Sequence, residues 1–222
     1  MKKIKGFIFD LDGVLTDTAH YHFLAWKRLS EQWGFTFSEH DNERLKGVDR
    51  IKSLEIILEI NSKQNEFSAK EILRLANQKN EHYQQLIEMI TPQDVLEGVS
   101  DFLLKSRSAE IRCAVASASK NAMRVLELLN LSNQFDFIAD ASAIKHPKPH
   151  PEIFLTCAQQ LKLLPCECVG FEDAQAGIKS IHAAGMYSVG INVYVTSEKP
   201  MIELSSTKEL NLEMIINAIE MG

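Results

Sequence analysis

The chain has 222 residues, enough to bury a substantial core in one α/β domain or in a core domain with an insert. Hydrophobic residues make up 45% and charged residues 24%, which excludes disordered and fibrous classes of protein. A formal net charge of -6 gives no electrostatic reason to expect binding to nucleic acid or to an anionic membrane, and we predict neither partner.

The sequence predicts a cytoplasmic protein. Its first residues are basic, but Asp10 and Asp12 interrupt the apolar run that a secretory signal requires. No segment is apolar over the length that a bilayer span needs. The four cysteines lack the C-x-x-C spacing of zinc and redox sites, so we expect reduced thiols.

The first predicted element is a short apolar strand over residues 5–10, which ends in the polar cluster Asp10-Leu11-Asp12-Gly13-Val14. An uninterrupted apolar run is typical of a strand that is buried on both faces of a parallel sheet. From residue 19 to about residue 90, apolar residues recur at spacings of three and four. This spacing predicts helices with no strand among them.

After Pro92, strand and helix signals alternate almost to the end of the chain. We predict strands at 111–116, 135–138, 168–171 and 188–191, with helices at 99–104, 121–129, after 151, at 174–184 and at 212–219. Such alternation indicates a parallel sheet with helices on both faces. The sequence therefore predicts an α/β fold in which an all-helical insert separates the first strand from the rest of the sheet.

Two carboxylates follow the first strand, at the edge where parallel sheets place their ligands. Asp10 and Asp12 are two residues apart, so a turn after the strand could direct both at one ligand. Neighbouring carboxylates attract a hard cation, and magnesium commonly binds one or two carboxylates together with a substrate phosphate. An ordinary surface turn is the alternative, and the pair alone does not decide between them.

Three further polar clusters lie where later strands are predicted to end. Ser117 begins a loop into a helix, where free backbone N–H groups and a hydroxyl can hold an anion. Lys148 lies between two prolines, and its ammonium could neutralise a phosphate. Glu172 and Asp173 offer hard oxygen ligands. Each cluster also has an ordinary interpretation, as an N-cap, a solvated lysine or an acidic first turn, but together they indicate one site.

The four clusters, in this order and spacing, resemble the motifs of the haloacid dehalogenase superfamily over nearly the whole chain. The resemblance implies a Rossmann-like core domain, residues 1–15 and 93–222, and an inserted helical cap domain, residues 16–92. Dehalogenation itself is disfavoured, because the dehalogenases do not keep the second aspartate or magnesium.

The resemblance also implies roles for the four clusters. Asp10 is the nucleophile that carries the phosphoryl group, Asp12 is the general acid/base, and Ser117 and Lys148 hold the phosphoryl group. The implied cofactor is Mg²⁺, and its implied ligands are Asp10, Asp12, Glu172 and Asp173.

Three further stretches are Asp17-Thr18-Ala19-x-x-His22-x-x-Ala25-Trp26-Lys27, Leu45-Lys46-Gly47-Val48-x-Arg50-x-x-Ser53 and Ala116-Ser117-Ala118-Ser119-Lys120-Asn121. Within the superfamily, they resemble most the cap and core sequences of the β-phosphoglucomutase family. This likeness implies that β-glucose 1-phosphate and glucose 6-phosphate interconvert through a phosphoaspartate and a glucose 1,6-bisphosphate intermediate, on a protein we expect to be a monomer. It also implies a set of substrate-binding residues, on the insert and on the loop after Ser117: Thr18, His22, Trp26, Lys46, Gly47, Val48, Arg50, Ser53, Ala118, Ser119, Lys120 and Asn121.

Two alternatives remain at this stage. A magnesium-dependent sugar-phosphate phosphatase would share all four motifs, and only His22, Lys46 and Arg50 favour the mutase. A non-catalytic phosphate-sensing domain could also be phosphorylated on an aspartate. Asp12 argues against it, because a sensor needs no general acid/base.

Overall fold

Within residues 3–45, 48–193 and 197–220, which the computed structural model describes, a six-stranded parallel sheet forms the centre of the molecule. The order across the sheet is β3-β2-β1-β4-β5-β6, and every neighbouring pair is parallel. In chain order the strands are β1 (Gly6–Phe9), β2 (Arg112–Val115), β3 (Phe137–Ile138), β4 (Cys168–Glu172), β5 (Tyr187–Ile191) and β6 (Ile202–Leu204). The predicted α/β fold is confirmed, although β6 was not predicted.

The same described residues form nine α-helices, and none of them is both long and apolar enough to cross a membrane. The helices between β1 and β2 are α1 (Ala19–Trp33), α2 (Glu39–Glu43), α3 (Arg50–Ile60), α4 (Ala69–Ile87) and α5 (Val99–Ser108). The later helices are α6 (Ala122–Leu128), α7 (Glu152–Gln160), α8 (Gln175–Ala183) and α9 (Leu212–Glu220). The helices predicted between residues 19 and 90 are thus confirmed as α1 to α4.

The central strand β1 is buried along its whole length. On one face, the Phe9 ring stacks on Phe171 with centroids 4.5 Å apart, and the Phe7 ring stacks on Phe102 at 5.4 Å. On the other face, Ile8 joins a second apolar cluster that includes residues of α7 and α8. Burying each such side chain contributes about 1.5–3 kcal/mol, which explains why the strand has no polar alternation. This burial fixes Asp10 at the carboxyl edge of the sheet.

Helices α1, α3 and α4 pack around an apolar core of their own, which contains Trp26, Leu54 and Leu75. The long helix α4 begins with a capping box. The Ser68 hydroxyl accepts a hydrogen bond from the Glu71 N–H, and the Glu71 carboxylate accepts one from the Ser68 N–H. These bonds pair N–H groups that a helix start otherwise leaves without partners.

Two chain segments connect the sheet with these helices, and they lie side by side. Thr16 forms an antiparallel bridge with Val95, and the Thr16 hydroxyl donates to the Asp94 carbonyl at 2.8 Å. The pairing lies near the predicted boundaries of the insert, at residues 16 and 92. The assignment of the helices to a separate cap domain stays a prediction.

Candidate active site

Asp10 is the first residue after β1, and its side chain lies at the carboxyl edge of the sheet. The residue is 4% exposed, and its backbone N–H donates to the Phe171 carbonyl at 2.9 Å. The turn that follows requires Gly13, whose φ is +71° and where a Cβ would overlap the Asp173 carboxylate. The D-x-D-G pattern is therefore part of a buried constellation and not an ordinary surface turn.

Lys148 joins two carboxylates in a buried ion-pair cluster. Its Nζ lies 2.7 Å from Asp10 Oδ1 and 2.5 Å from Glu172 Oε1, and all three side chains are 6% exposed or less. Burial raises the pKa of Glu172 to about 7, although the Lys148 ammonium opposes the rise. Burial also acts to lower the pKa of Lys148, but the two carboxylates outweigh it and hold that pKa above its ordinary value. The lysine therefore stays charged between its partners.

Three of the predicted metal ligands lie close together. Asp10, Glu172 and Asp173 each offer an oxygen atom, and these oxygens all lie within 4.8 Å of one another. Two glycines make room for these carboxylates, because a Cβ at Gly177 would overlap the Glu172 carboxylate, as one at Gly13 would overlap Asp173. Asp10 and Asp173 also line the adjacent cavity, and hard carboxylate oxygens grouped at its edge fit a divalent cation.

Asp12, the fourth predicted metal ligand, does not belong to that group of described side chains. Its carboxylate accepts a hydrogen bond from the Thr18 hydroxyl and lines the adjacent cavity. The bond from Thr18 holds the side chain outside the cluster, and the role of Asp12 as a metal ligand stays a prediction. Burial raises the pKa of Asp12 to about 8. The nearby Asp10 carboxylate adds a smaller contribution in the same direction, and the Lys79 ammonium opposes the rise. Such a group can carry a proton near neutral pH.

The loop after β2 reaches the same edge of the sheet. The buried Ser117 hydroxyl accepts from the Ser119 N–H at 3.1 Å, and the Ser119 hydroxyl accepts from the Asn121 N–H at 3.2 Å. These two local bonds shape a tight turn. Ser117 lies beneath the cavity wall, whereas the loop residues after it line the cavity, namely Ala118, Ser119, Lys120 and Asn121.

A cavity of about 570 Å³ separates the sheet edge from the helices of the insert, a volume that suits a small ligand. Its floor, on the sheet side, includes Asp10, Asp12, Lys148 and Asp173. Its roof, on the insert side, includes five of the predicted substrate-binding residues: His22, Trp26, Val48, Arg50 and Ser53. The structure thus brings the predicted core and insert residues to one site.

Among the described residues, one other predicted substrate-binding residue, Thr18, does not line this cavity. Thr18 is fully buried, and its hydroxyl donates to Asp12 instead. The structure thus places Thr18 against Asp12 and not on the cavity surface, and its role in binding substrate stays a prediction. Lys46 and Gly47 lie outside the described residues, so their role in binding substrate stays a prediction.

Lys79, on α4, is a cavity residue that sequence analysis missed. Its Nζ lies 2.7 Å from His22 Nδ1, where a neutral imidazole accepts the hydrogen bond, and 4.8 Å and 4.7 Å from the ring centres of Trp26 and Tyr83. Burial, assisted by the charge of Arg50, lowers the pKa of Lys79 to about 7. Burial likewise holds the pKa of His22 well below its ordinary value.

A sequence signal for Lys79 did exist. The residue falls within the apolar stripe of α4, between Ala76 and Tyr83, at spacings of three and four. A lysine at a core position of an amphipathic helix is unusual, because its charge must be desolvated. The neighbouring Asn80 also lines the cavity.

The roof of the cavity carries cations that lack carboxylate partners. Within the described parts of the chain, neither Arg50 nor Lys79 takes part in an ion pair, and the buried Nε of Arg50 has no hydrogen-bond partner. The buried Nε2 of His22 is also without a partner there. These unpaired groups make the roof suited to an anionic, hydrogen-bonding ligand.

Comparisons with known proteins agree on the family. The family model of haloacid dehalogenase-like hydrolases matches residues 4–185. A β-phosphoglucomutase of Bacillus subtilis is 41% identical over 212 residues, which cover 96% of this chain and 94% of that protein. The crystal structure of a β-phosphoglucomutase from Clostridium difficile has a TM-score of 0.95 and 45% identity, and the match covers 98% of each chain.

A phosphatase is also among the relatives. A fructose-1-phosphate phosphatase of Escherichia coli is 31% identical over 195 residues, which cover 86% of this chain and 98% of that protein.

Proposed function

Because the chain belongs to the haloacid dehalogenase-like hydrolase family, we propose that it is a β-phosphoglucomutase, which interconverts β-D-glucose 1-phosphate and D-glucose 6-phosphate. One observation carries the proposal beyond the family. A single cavity has the Asp10 carboxylate on its floor and two basic residues on its roof, Arg50 and Lys79, neither of which forms an ion pair with a described carboxylate. A sugar with a phosphate at each end could engage both walls at once.

The chemistry is assigned to Asp10 and Asp12. In the phosphorylated enzyme, the free hydroxyl of the substrate attacks the phosphorus on Asp10 while the Asp12 carboxylate takes the hydroxyl proton, and the bond between Asp10 and phosphorus breaks. The resulting glucose 1,6-bisphosphate then reverses its orientation in the cavity, so that its other phosphate faces Asp10. Asp10 then attacks its other phosphate, and Asp12 returns the proton to the departing sugar oxygen. The aspartyl phosphate is restored, and the isomerised monophosphate leaves.

Positive charge on the floor stabilises the transferring group. The Lys148 ammonium, already in contact with Asp10, can bind a phosphoryl oxygen, and the loop at Ser117 can donate its hydroxyl and backbone N–H groups. We propose Mg²⁺ as the cation held by Asp10, Glu172 and Asp173. When bound, it would neutralise charge on the phosphoryl oxygens.

The metal proposal has its own test. Excess EDTA should abolish turnover, and added Mg²⁺ should restore it, because the three carboxylates offer hard oxygen ligands only. A full rate in excess chelator would remove the metal from the mechanism.

The roof and the phosphate loop are assigned to substrate binding. His22, Arg50 and Ser53 would hold one end of the sugar phosphate, and the loop from Ser117 to Asn121 would hold the other. The proposal includes a cap domain over residues 16–92 that closes on the core. It also includes a monomeric enzyme, since one chain supplies every group invoked, and a cytoplasmic location, where phosphorylated sugars are retained.

Product analysis tests the proposed reaction. The protein is incubated with Mg²⁺, β-glucose 1-phosphate and a trace of glucose 1,6-bisphosphate, and glucose 6-phosphate is separated from inorganic phosphate. The mutase predicts glucose 6-phosphate as the main product. Inorganic phosphate alone would favour the second candidate, a sugar-phosphate phosphatase, which the 31% identity to the fructose-1-phosphate phosphatase supports.

A further inference from the structure

A polar contact joins α4 to the phosphate loop and to α6. Asn80, Gln84 and Glu88 are spaced four residues apart, so they share one face at the carboxyl end of α4. Opposite them lie Asn121 and Arg124, three residues apart. We call this contact the α4–α6 seam. Each of its five residues is in a hydrogen bond across the two elements.

The seam fixes the orientation of the Asn121 amide. Its Oδ1 accepts from Gln84 Nε2 at 3.0 Å, and its Nδ2 donates to Asn80 Oδ1 at 2.8 Å. An amide oxygen only accepts and an amide nitrogen only donates, so a flip of Asn121 alone would break both bonds. It would set nitrogen against nitrogen at Gln84 and oxygen against oxygen at Asn80, and the flipped amide therefore requires all three amides to turn together.

The two partners of Asn121 lie on different sides of it. Asn80 lines the cavity together with Asn121, whereas Gln84 is an exposed residue outside the cavity lining. The amide nitrogen is therefore on the cavity side, and its second N–H is available there. An amide oxygen in the same place would repel the oxygens of a phosphate.

The remaining pair of the seam keeps the helices in contact. Arg124 binds Glu88 through two parallel bonds, Nε to Oε1 at 2.9 Å and Nη2 to Oε2 at 2.5 Å. This bidentate pair lies one helical turn beyond Gln84 on α4, so it holds the Gln84 side chain within reach of Asn121.

We propose that Gln84 is a positioning residue for a phosphate subsite, which it serves by holding the Asn121 amide with its nitrogen towards the cavity. The ligand class, a phosphorylated sugar, rests on the proposed function. Gln84 itself touches no substrate. Its effect passes entirely through Asn121.

Two substitutions at Gln84 separate this role from a general contribution to folding. Gln84→Leu removes the donor, so both amide orientations become accessible. Gln84→Glu replaces the donor with an acceptor, which favours the flipped amide and directs oxygen to the cavity. The charge control is Gln85→Glu, because the neighbouring Gln85 is an exposed residue of the same helix.

The readout is the dissociation constant of glucose 6-phosphate, measured by titration calorimetry with Mg²⁺ present. We expect Gln84→Glu to weaken binding roughly ten- to a hundredfold, because one hydrogen bond to a charged group is lost and an oxygen faces the phosphate. Gln84→Leu should weaken binding less, and Gln85→Glu should leave it unchanged. All three variants should melt near the wild-type temperature. Equal constants for Gln84→Glu and Gln85→Glu would overturn the proposal.

A double-mutant cycle shows whether the effect passes through Asn121. In an Asn121→Ala background, adding Gln84→Glu should cost no further affinity, because the amide that it flips is gone. A penalty that persists in this background would mean that the new charge acts directly on the ligand, and the positioning role would be wrong.

The two proposals fail separately. Wild-type protein that binds glucose 6-phosphate and shows the expected cycle, but yields no glucose 6-phosphate from β-glucose 1-phosphate, would refute the mutase and support the seam. A protein that converts β-glucose 1-phosphate to glucose 6-phosphate but shows no coupling between residues 84 and 121 would support the mutase and refute the positioning role of Gln84. Absence of glucose 6-phosphate binding by the wild type would overturn both.

Discussion

The floor and the roof of the cavity solve the problem of buried charge in opposite ways. On the floor, the Lys148 ammonium contacts two carboxylates, so the buried charges have partners within the protein. On the roof, the hydrogen-bond partner of Lys79 is an imidazole, and Arg50 has no ion pair among the residues described. The buried lysine of the floor is thus ion-paired within the protein, whereas the basic residues of the roof form no ion pair with a described carboxylate.

The difference indicates a division of labour. A paired, buried floor keeps its groups in place while charge develops on a transferring phosphoryl group, which is the arrangement that favours electrostatic catalysis. An unpaired roof gains most when an anion arrives, because the ligand supplies the missing partners. We therefore assign transfer to the floor and recognition of the substrate to the roof.

The largest expected effect is on the floor. Asp10→Asn removes the nucleophile, so turnover should fall by at least about 10³-fold, and no acid-stable, hydroxylamine-labile acyl phosphate should form from acetyl phosphate. Asp12→Ala should also lose turnover but should still form that acyl phosphate, because the nucleophile remains. Covalent labelling of Asp10→Asn would show that another residue is the nucleophile.

The pairing of the floor predicts a large loss of stability when its cation is removed. Lys148→Met leaves Asp10 and Glu172 buried together without a partner, and we expect a loss of about 3–5 kcal/mol in the free energy of unfolding. Urea denaturation measures it. Lys145→Met, at an exposed position of the same loop, is the matched control and should stay within about 0.5 kcal/mol of wild type. Equal stabilities for the two variants would show that the floor is not held by its ion pairs.

Removing the buried lysine of the roof should change the free energy of unfolding in the opposite direction. Lys79→Met replaces a buried ammonium that forms no ion pair among the described residues, so the free energy of unfolding should rise by about 1–4 kcal/mol at pH 7. The exposed Lys70 on the same helix supplies the control, Lys70→Met, which should have little effect. A Lys79→Met variant less stable than wild type would mean that the roof is as well paired as the floor.

The gain at Lys79 should also depend on pH. Because the pKa of Lys79 is lowered from 10.5 to about 7, the unfolded chain binds more protons than the folded chain between these values. Wild-type stability therefore rises with pH across that window relative to the variant. The advantage of Lys79→Met should be greatest below pH 7 and should shrink towards pH 10.5, as urea denaturation at each pH would reveal.

The sequence predicted the floor better than the roof, for physical reasons. Asp10, Ser117 and Glu172 lie at or just beyond the ends of strands and Lys148 lies on the connection after β3, and parallel strands must bring their carboxyl ends to one edge. The contribution of α4 to the roof depends on how that helix packs against α1 and α3, which residue spacing does not show. Lys79 was missed for that reason, although its position in an apolar stripe was a readable signal.

Other features could not be predicted, for local reasons. The orientation of the Asp12 carboxylate depends on a hydrogen bond from Thr18 that residue spacing does not show. Strand β6 was missed because it has three residues and lies at the edge of the sheet. The contact between Gln84 and Asn121 joins residues 37 positions apart, beyond the reach of any periodic pattern.

The division of labour is tested most directly by where the phosphoryl group goes when the roof is damaged. Water competes with the sugar hydroxyl for the phosphorus on Asp10, and only the positioning of the sugar lets the hydroxyl win. The measurement is the ratio of glucose 6-phosphate to inorganic phosphate produced by His22→Ala and Arg50→Ala, alongside the rate at which acetyl phosphate labels Asp10. Arg44→Ala, at an exposed position of the insert, is the control.

We expect the ratio to fall roughly tenfold or more in His22→Ala and in Arg50→Ala, because a misplaced sugar loses its advantage over water. The labelling rate of Asp10 should stay near that of wild type, since the floor is intact, and Arg44→Ala should change neither quantity. A wild-type ratio in both roof variants would contradict the account, because the roof would then have no part in selecting the acceptor.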